Sequence, residues 1–354
     1  MNKIINKALF YKEWINVRWV TLLTIVILLY YKVYAVIAEL NGDKSYMAME
    51  DIVRTDRWFY NGFYSSVFYF LVMAFAIIIL AIILFIGEKT SETQGFIASM
   101  PFTRKEIILN KWMVGVLSII ISFVVTFIFL SLVYVAKINN LNTTLNPYSE
   151  LFKWFFMDTF QYICIFTFMV LVQSIMGNSI VSGIVGGAIL LLPWFINETI
   201  KVLFIFISDK SAKVFDQVGG WLNIYGYNST QHGMFEMVNT STSRMSSNQY
   251  YNDYKDYGLK LLILLILTCL FLCLAYVSFK KRNIEYNLRL VAFKNLELVF
   301  IWVFAVYTGI LGGETFGLGI SGKGLSVFCI CTVIFSIAGY FISKGLLKIL
   351  SSSK

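Results

Sequence analysis

Hydrophobic residues along this chain fall into long unbroken runs separated by polar breaks. Neither the strict alternation of half-buried strands nor the one-sided stripe of a soluble helix is present within them. The runs lie near 19–38, 66–86, 113–136, 159–176, 180–207, 258–279, 296–311 and 325–347. Most hold about 20 residues, the length a helix needs to cross a bilayer core of about 30 Å. The pattern therefore predicts an all-α fold, a polytopic transmembrane helical bundle of about eight spans forming one domain over 1–354. The fourth and fifth runs nearly touch at Gly177-Asn178-Ser179, which predicts a tight helical hairpin. Pro193 falls inside the fifth, where its missing backbone donor predicts a kink or an interruption. The seventh run is short and ends in Gly312-Gly313, so a re-entrant segment, and with it a count of six or seven spans, stays open. Eighteen polar and amphipathic residues precede the first run and no small-residue cleavage site follows it, which reads as a span and not a cleaved leader.

Composition agrees with that pattern: 58% of residues are hydrophobic and only 14% charged, against about 25% charged in a soluble domain. Charge then orients the bundle. With the N-terminus inside, the inner segments hold sixteen of the 29 Lys and Arg residues but six of the 20 acids. The basic excess is the positive-inside signal and predicts cytoplasmic N- and C-termini. Lys280-Lys281-Arg282, closing the sixth run, is its strongest anchor, and the positive balance is not read as nucleic-acid binding.

Site chemistry is sparse. Cys164, Cys269, Cys273, Cys329 and Cys331 all sit in apolar runs, as small packing residues and not a disulfide framework. The single histidine, His232, lies in an outer loop, and no metal site is expected. Gly317-Leu318-Gly319-Ile320-Ser321-Gly322-Lys323-Gly324 approaches a phosphate loop, but Gly324 stands where the Mg²⁺-holding hydroxyl belongs and no strand precedes it. No cofactor is therefore expected on this chain, and no catalytic cluster marks it as an enzyme.

The inner segments are more specific. Within 1–18, Ile4, Ala8, Tyr11 and Ile15 share one helix face and Lys3 and Lys7 another. That predicts an amphipathic helix, carrying Lys12, Glu13 and Trp14, lying flat in the inner interface, with a plain charged anchor as the alternative. In 87–112, Gly95 and Pro101 bracket a short segment whose Phe96, Ile97 and Met100 offer an apolar patch. Thr103 with Glu106 three residues on forms a capping box for a helix opening at Arg104. A capped helix beside an apolar knob suits docking into a groove on a soluble partner, the alternative being an interfacial loop facing lipid.

This stretch resembles the first cytoplasmic loop of ABC-2 type permeases, the membrane subunits of one class of ATP-binding-cassette exporter. Glu88, Gly95, Phe96, Met100, Pro101, Thr103, Arg104, Ile107 and Lys111 match the family pattern in order and spacing. Phe279-Lys280-Lys281-Arg282-Asn283-Ile284-Glu285 is similar to a basic-then-Glu turn of the longer, eight-span members. The resemblance implies a bacterial plasma-membrane exporter of an amphipathic peptide, drug or lipid-like cargo. It implies a nucleotide-binding ATPase subunit as partner, docked on the loop from Glu88 to Arg104 and itself binding the ATP and Mg, and a second permease chain.

Three membrane features complete the reading. Ser179, Gly183 and Gly187 recur every fourth residue, a face that another helix of this chain or of a dimer seam could approach closely. Lys32 is expected to snorkel outward, and Gln173 to pair with a neighbouring helix. The region 208–257 is expected to be a large extracellular loop that caps the exit or contacts cargo, or is passive. Sequons at Asn142, Asn197, Asn228 and Asn239 carry no weight for a bacterial chain. Two rival readings are a non-transporting sensor or immunity protein binding through 208–257, and an ion-coupled carrier, which the lack of intramembrane carboxylates disfavours.

Overall fold

In the computed structural model, the described residues are 7–38, 67–89, 102–138, 147–208, 213–227, 231–236, 248–254, 256–281, 294–319 and 325–352. Helix α1 (Lys7–Leu28) passes into a π-helical stretch, Leu29–Tyr34, and ends at Ala38. It is followed by α2 (Val67–Lys89), α3 (Arg104–Lys137), α4 (Ser149–Ile175) and α5 (Ser179–Ser208). A short α6 (Lys213–Leu222) leads to an antiparallel hairpin of β1 (Gln231–Glu236) and β2 (Asn248–Asp253). Helices α7 (Tyr257–Lys281), α8 (Lys294–Gly313) and α9 (Leu325–Ser352) complete the chain. Eight of these helices are long and apolar enough to cross a membrane, so the chain is a multi-pass membrane protein with an all-α bundle.

The core gathers around α4, which buries residues on nearly every side from Leu151 to Ser174. Helices α1, α2 and α3 pack with it into one apolar cluster that includes Val17, Met73, Ile77, Phe123, Tyr162 and Phe166. Gly115 of α3 lies where a Cβ would strike the Phe166 ring, so α3 and α4 approach as closely as a missing side chain permits. The α4–α5 connection is the tight hairpin expected. Asn178 caps α5 by accepting from the backbone N–H of Ile180 at 3.0 Å and Val181 at 3.2 Å.

One expectation needs correction. From Lys7 onward the 1–18 segment is not a separate helix lying flat. It is the opening of α1, continuous with the span because no Gly or Pro interrupts 7–38. Its Tyr11 and Ile15 nonetheless face outward while Leu9 and Glu13 face the bundle. Of the kink or interruption expected at Pro193, interruption does not occur, since α5 runs through it. The expected count of eight holds: the seventh run, extended back to Lys294, gives α8 20 residues, about 30 Å at 1.5 Å per residue and enough to span. Within 208–257, where Trp221 and the repeated tyrosines suggest some order, the described residues form α6, a 3₁₀ turn at Ile224–Gly226 and the β-hairpin.

Candidate functional site

The bundle has two polar ends. One, the basic end, gathers the start of α1, the α2–α3 connection, the α4–α5 turn and the close of α7; the other carries the β-hairpin. At the basic end, Thr103 opens α3 with the capping box read from sequence. Its hydroxyl accepts from the Glu106 N–H at 3.3 Å, and its own N–H donates to Glu106 Oε2 at 2.8 Å. The next residue, Arg104, donates from Nη1 to the Lys280 carbonyl at 2.9 Å, a cation on the terminal carbonyls of α7.

Two turns into α3, Lys111 is fully buried. Its Nζ meets Glu13 Oε1 of α1 at 2.9 Å and also donates to the Leu84 carbonyl of α2. Both side chains are 1% exposed, and Glu13 is the carboxylate that offsets the buried charge of Lys111, so removing it would leave that cation in an apolar surround. The Phe85 ring separates this pair from a second cation. It lies 5.2 Å from Lys111 Nζ and 5.3 Å from Lys89 Nζ. Lys89, the last residue of α2, donates to the carbonyl and to Oε1 of Gln173, each at 2.7 Å, and reaches Ser182 Oγ of α5 at 3.5 Å. Gln173 Nε2 in turn donates to the Ser179 carbonyl at 2.9 Å, so the α4–α5 turn is fastened to the end of α2.

The arrangement has a mechanical meaning. The connection between α2 and α3 leaves from Lys89 and returns at Arg104, and both are tied to other helices. Through Lys89, Arg104 and Lys111 a force on that connection reaches α1, α4, α5 and α7 as well as its own two helices. Glu88 is the penultimate residue of α2. Gly95, Phe96, Met100 and Pro101 lie outside the described residues. Lys12 Nζ sits 3.4 Å from Glu13 Oε1, while Trp14 packs partly buried against the core. Of that trio, Glu13 is the residue that pairs with Lys111.

Ser179 is buried, and a Cβ on Gly183 or Gly187 would meet Ile82 or Ile78 of α2. That small-residue face is occupied by a helix of the same chain.

Nearer the hairpin end, Lys32 does not snorkel outward. It is 3% exposed, with Nζ 4.2 Å from the centre of the Tyr69 ring and within the field of Asp158. Asp158 Oδ2 accepts from Tyr69 OH at 3.2 Å and from Trp154 Nε1 at 3.0 Å. The fourth span as read from sequence begins at Thr159, one residue past Asp158. Helix α4 starts at Ser149 instead and carries this carboxylate into the bundle, because a buried cation and two aromatic donors satisfy it. The readable signal was Trp154, Asp158 and Tyr162, one helical turn apart on a single face of α4.

Neither a curated protein nor a solved structure matches this chain. The family model for ABC-2 family transporter proteins matches residues 8–284. It begins at the first turn of α1, takes in Glu13, Lys89, Arg104, Lys111 and Asp158, and closes just past α7. With well over half of its length covered, the chain belongs to the ABC-2 family of transporter proteins.

Proposed function

We propose that this membrane permease exports its cargo with ATP hydrolysis supplied by a separate subunit that docks at the basic end. The excess of Lys and Arg there supports a cytoplasmic position, where ATP is present. One observation carries the reading: both ends of the α2–α3 connection, Lys89 and Arg104, are hydrogen-bonded into other helices. Closure of an ATPase against the 90–103 segment would move α2 and α3. Lys89, Arg104 and the Lys111–Glu13 pair would carry that movement to the rest of the core, and cargo would leave at the hairpin end. Phe96 and Met100 supply the apolar contact with the ATPase, and a second permease chain completes the pathway. The cargo is an amphipathic peptide, drug or lipid-like molecule, in keeping with spans that have few charges.

The test is affinity purification of the tagged chain from mildly solubilised native membranes, beside a Phe96→Asp, Met100→Asp variant. A nucleotide-binding protein should co-purify with the wild type and be lost from the variant. Failure to recover one in any mild detergent would overturn the reading. Transport that persists after ATP depletion would instead make the buried Lys32–Asp158 charges the centre of an ion-coupled cycle.

A further inference from the structure

The matched family segment ends at residue 284, before α8 and α9 begin. These two helices pack chiefly on each other. Gly309 lies against Ser336, Gly312 against Phe335 and Gly339 against Thr308, and Thr308 Oγ1 reaches the Phe335 carbonyl at 3.3 Å. Against the core the fit is different. Between α8 and the α4–α5 hairpin an apolar cleft of about 400 Å³ is left open.

Its shape follows from the positions that line it. On α5 they include Ile184, Ala188 and Leu192, one helical face about 12 Å long; on α8 they run from Phe300 through Phe304 to Tyr307. The two stripes face each other along helices that run in the same direction, so the void is a slot parallel to the helix axes. Ile184, on its wall, is 68% exposed, so the slot opens on the surface that bilayer covers. Water gains little there, since it needs two to four polar partners and the walls offer almost none.

At the basic end of the slot, Leu347 of α9 and Phe300 of α8 both pack against Val172 and Met176. Lys344 and Lys348, both exposed, flank Leu347 on that helix. Lys344 Nζ stands 5.8 Å from the Tyr340 ring of its own helix; two exposed cations on the helix beside the basic end of a narrow apolar slot match an anionic headgroup above a hydrocarbon tail.

We propose that this cleft is a binding site for one acyl chain of an anionic phospholipid. The chain enters from the leaflet at the basic end, and Lys344 and Lys348 hold the headgroup. The site belongs to the α8–α9 hairpin and the α5 face, and does not depend on which cargo the permease moves.

The experiment reconstitutes the full chain in nanodiscs containing phosphatidylglycerol with a photoactivatable diazirine in its acyl chain. Adducts are then mapped by mass spectrometry. Labelling should concentrate on 184–192 and 300–307 and exceed labelling of the lipid-facing Ile128 and Leu132 of α3. Ala188→Trp should lower cleft labelling about tenfold and leave α3 labelling unchanged, and Val303→Trp, filling the slot from the other wall, should do the same. A Lys344→Gln, Lys348→Gln pair should erase the preference for phosphatidylglycerol over a phosphatidylcholine probe. Equal labelling of cleft and α3, or labelling indifferent to both filling variants, would overturn the site. Equal use of the two headgroups by the wild type would overturn the role of the lysines. Loss of cross-linked dimers in Ala188→Trp with labelling unchanged would assign the slot to a second copy of the chain and overturn the lipid.

Discussion

At Asp158 the membrane core holds a carboxylate that two aromatic side chains and a buried cation help to satisfy. Tyr69 and Trp154 donate to it, and Lys32 supplies the opposing charge across the Tyr69 ring. Such a group is costly to bury and more costly to orphan. Truncating Asp158 to Ala should destabilise the purified protein by about 3 kcal/mol, because Lys32, Tyr69 and Trp154 lose the buried carboxylate that pairs with them. The double variant Lys32→Met, Asp158→Leu should recover most of that loss, and thermal melts of the two proteins in one detergent check both statements. Sequence reading missed this pair for a physical reason. Hydropathy averages over a window, so Glu150, Lys153 and Asp158 together lowered the apolar score and cut the first turns from α4. Lys32, isolated among tyrosines near a span end, looked equally able to reach the headgroups. Only the partner across the bundle decides between the two placements, and no local pattern contains it. Gln173 was legible because an uncharged amide deep in a span has few alternatives to a neighbouring helix.

Among the helices, those whose ends carry their own chemistry were the legible ones. Thr103 and Glu106 announce the start of α3, and Asn178 announces α5, because capping uses residues within one turn of each other. The α1 opening was misjudged since amphipathicity alone does not separate a helix lying on the membrane from one entering it. The deciding contact is Glu13 with Lys111, 98 residues away. If α3 is the lever between the 90–103 segment and the bundle, its first turn must hold its shape under load. Thr103→Ala should cost about 1 kcal/mol of local stability, the usual value of a cap side chain. Amide hydrogen exchange over 104–110 should accelerate accordingly, while exchange in α4 stays unchanged. Equal acceleration in both helices would show that the cap acts on the whole fold and that α3 is not loaded as a separate element.

Across the whole molecule, contacts divide the chain where the family match also ends. Helices α1 to α5 and α7 share one core, and its polar ties at Lys89, Arg104 and Lys111 all fall within 8–284. The α8–α9 hairpin touches that core along α5: at Phe195 with Tyr307, 5.4 Å between ring centres, at the Thr199 hydroxyl with Glu314, and around Leu347. The sequence showed eight spans but not this seam, because each hydrophobic run reads alike whichever neighbour it meets. The seam predicts separable failure. A chain ending after residue 285 keeps the ties made by Lys89, Arg104 and Lys111, and loses the wall that α8 and α9 lay against α5 and the α4–α5 turn. It should insert in the membrane, elute as a single species in detergent, and retain whatever nucleotide-binding subunit the full chain captures. A truncated chain that aggregates, while the full chain is monodisperse under the same conditions, would show instead that α8 and α9 are required for the core to fold. Retained capture with lost transport would place the hairpin in the transport cycle itself, downstream of ATPase docking.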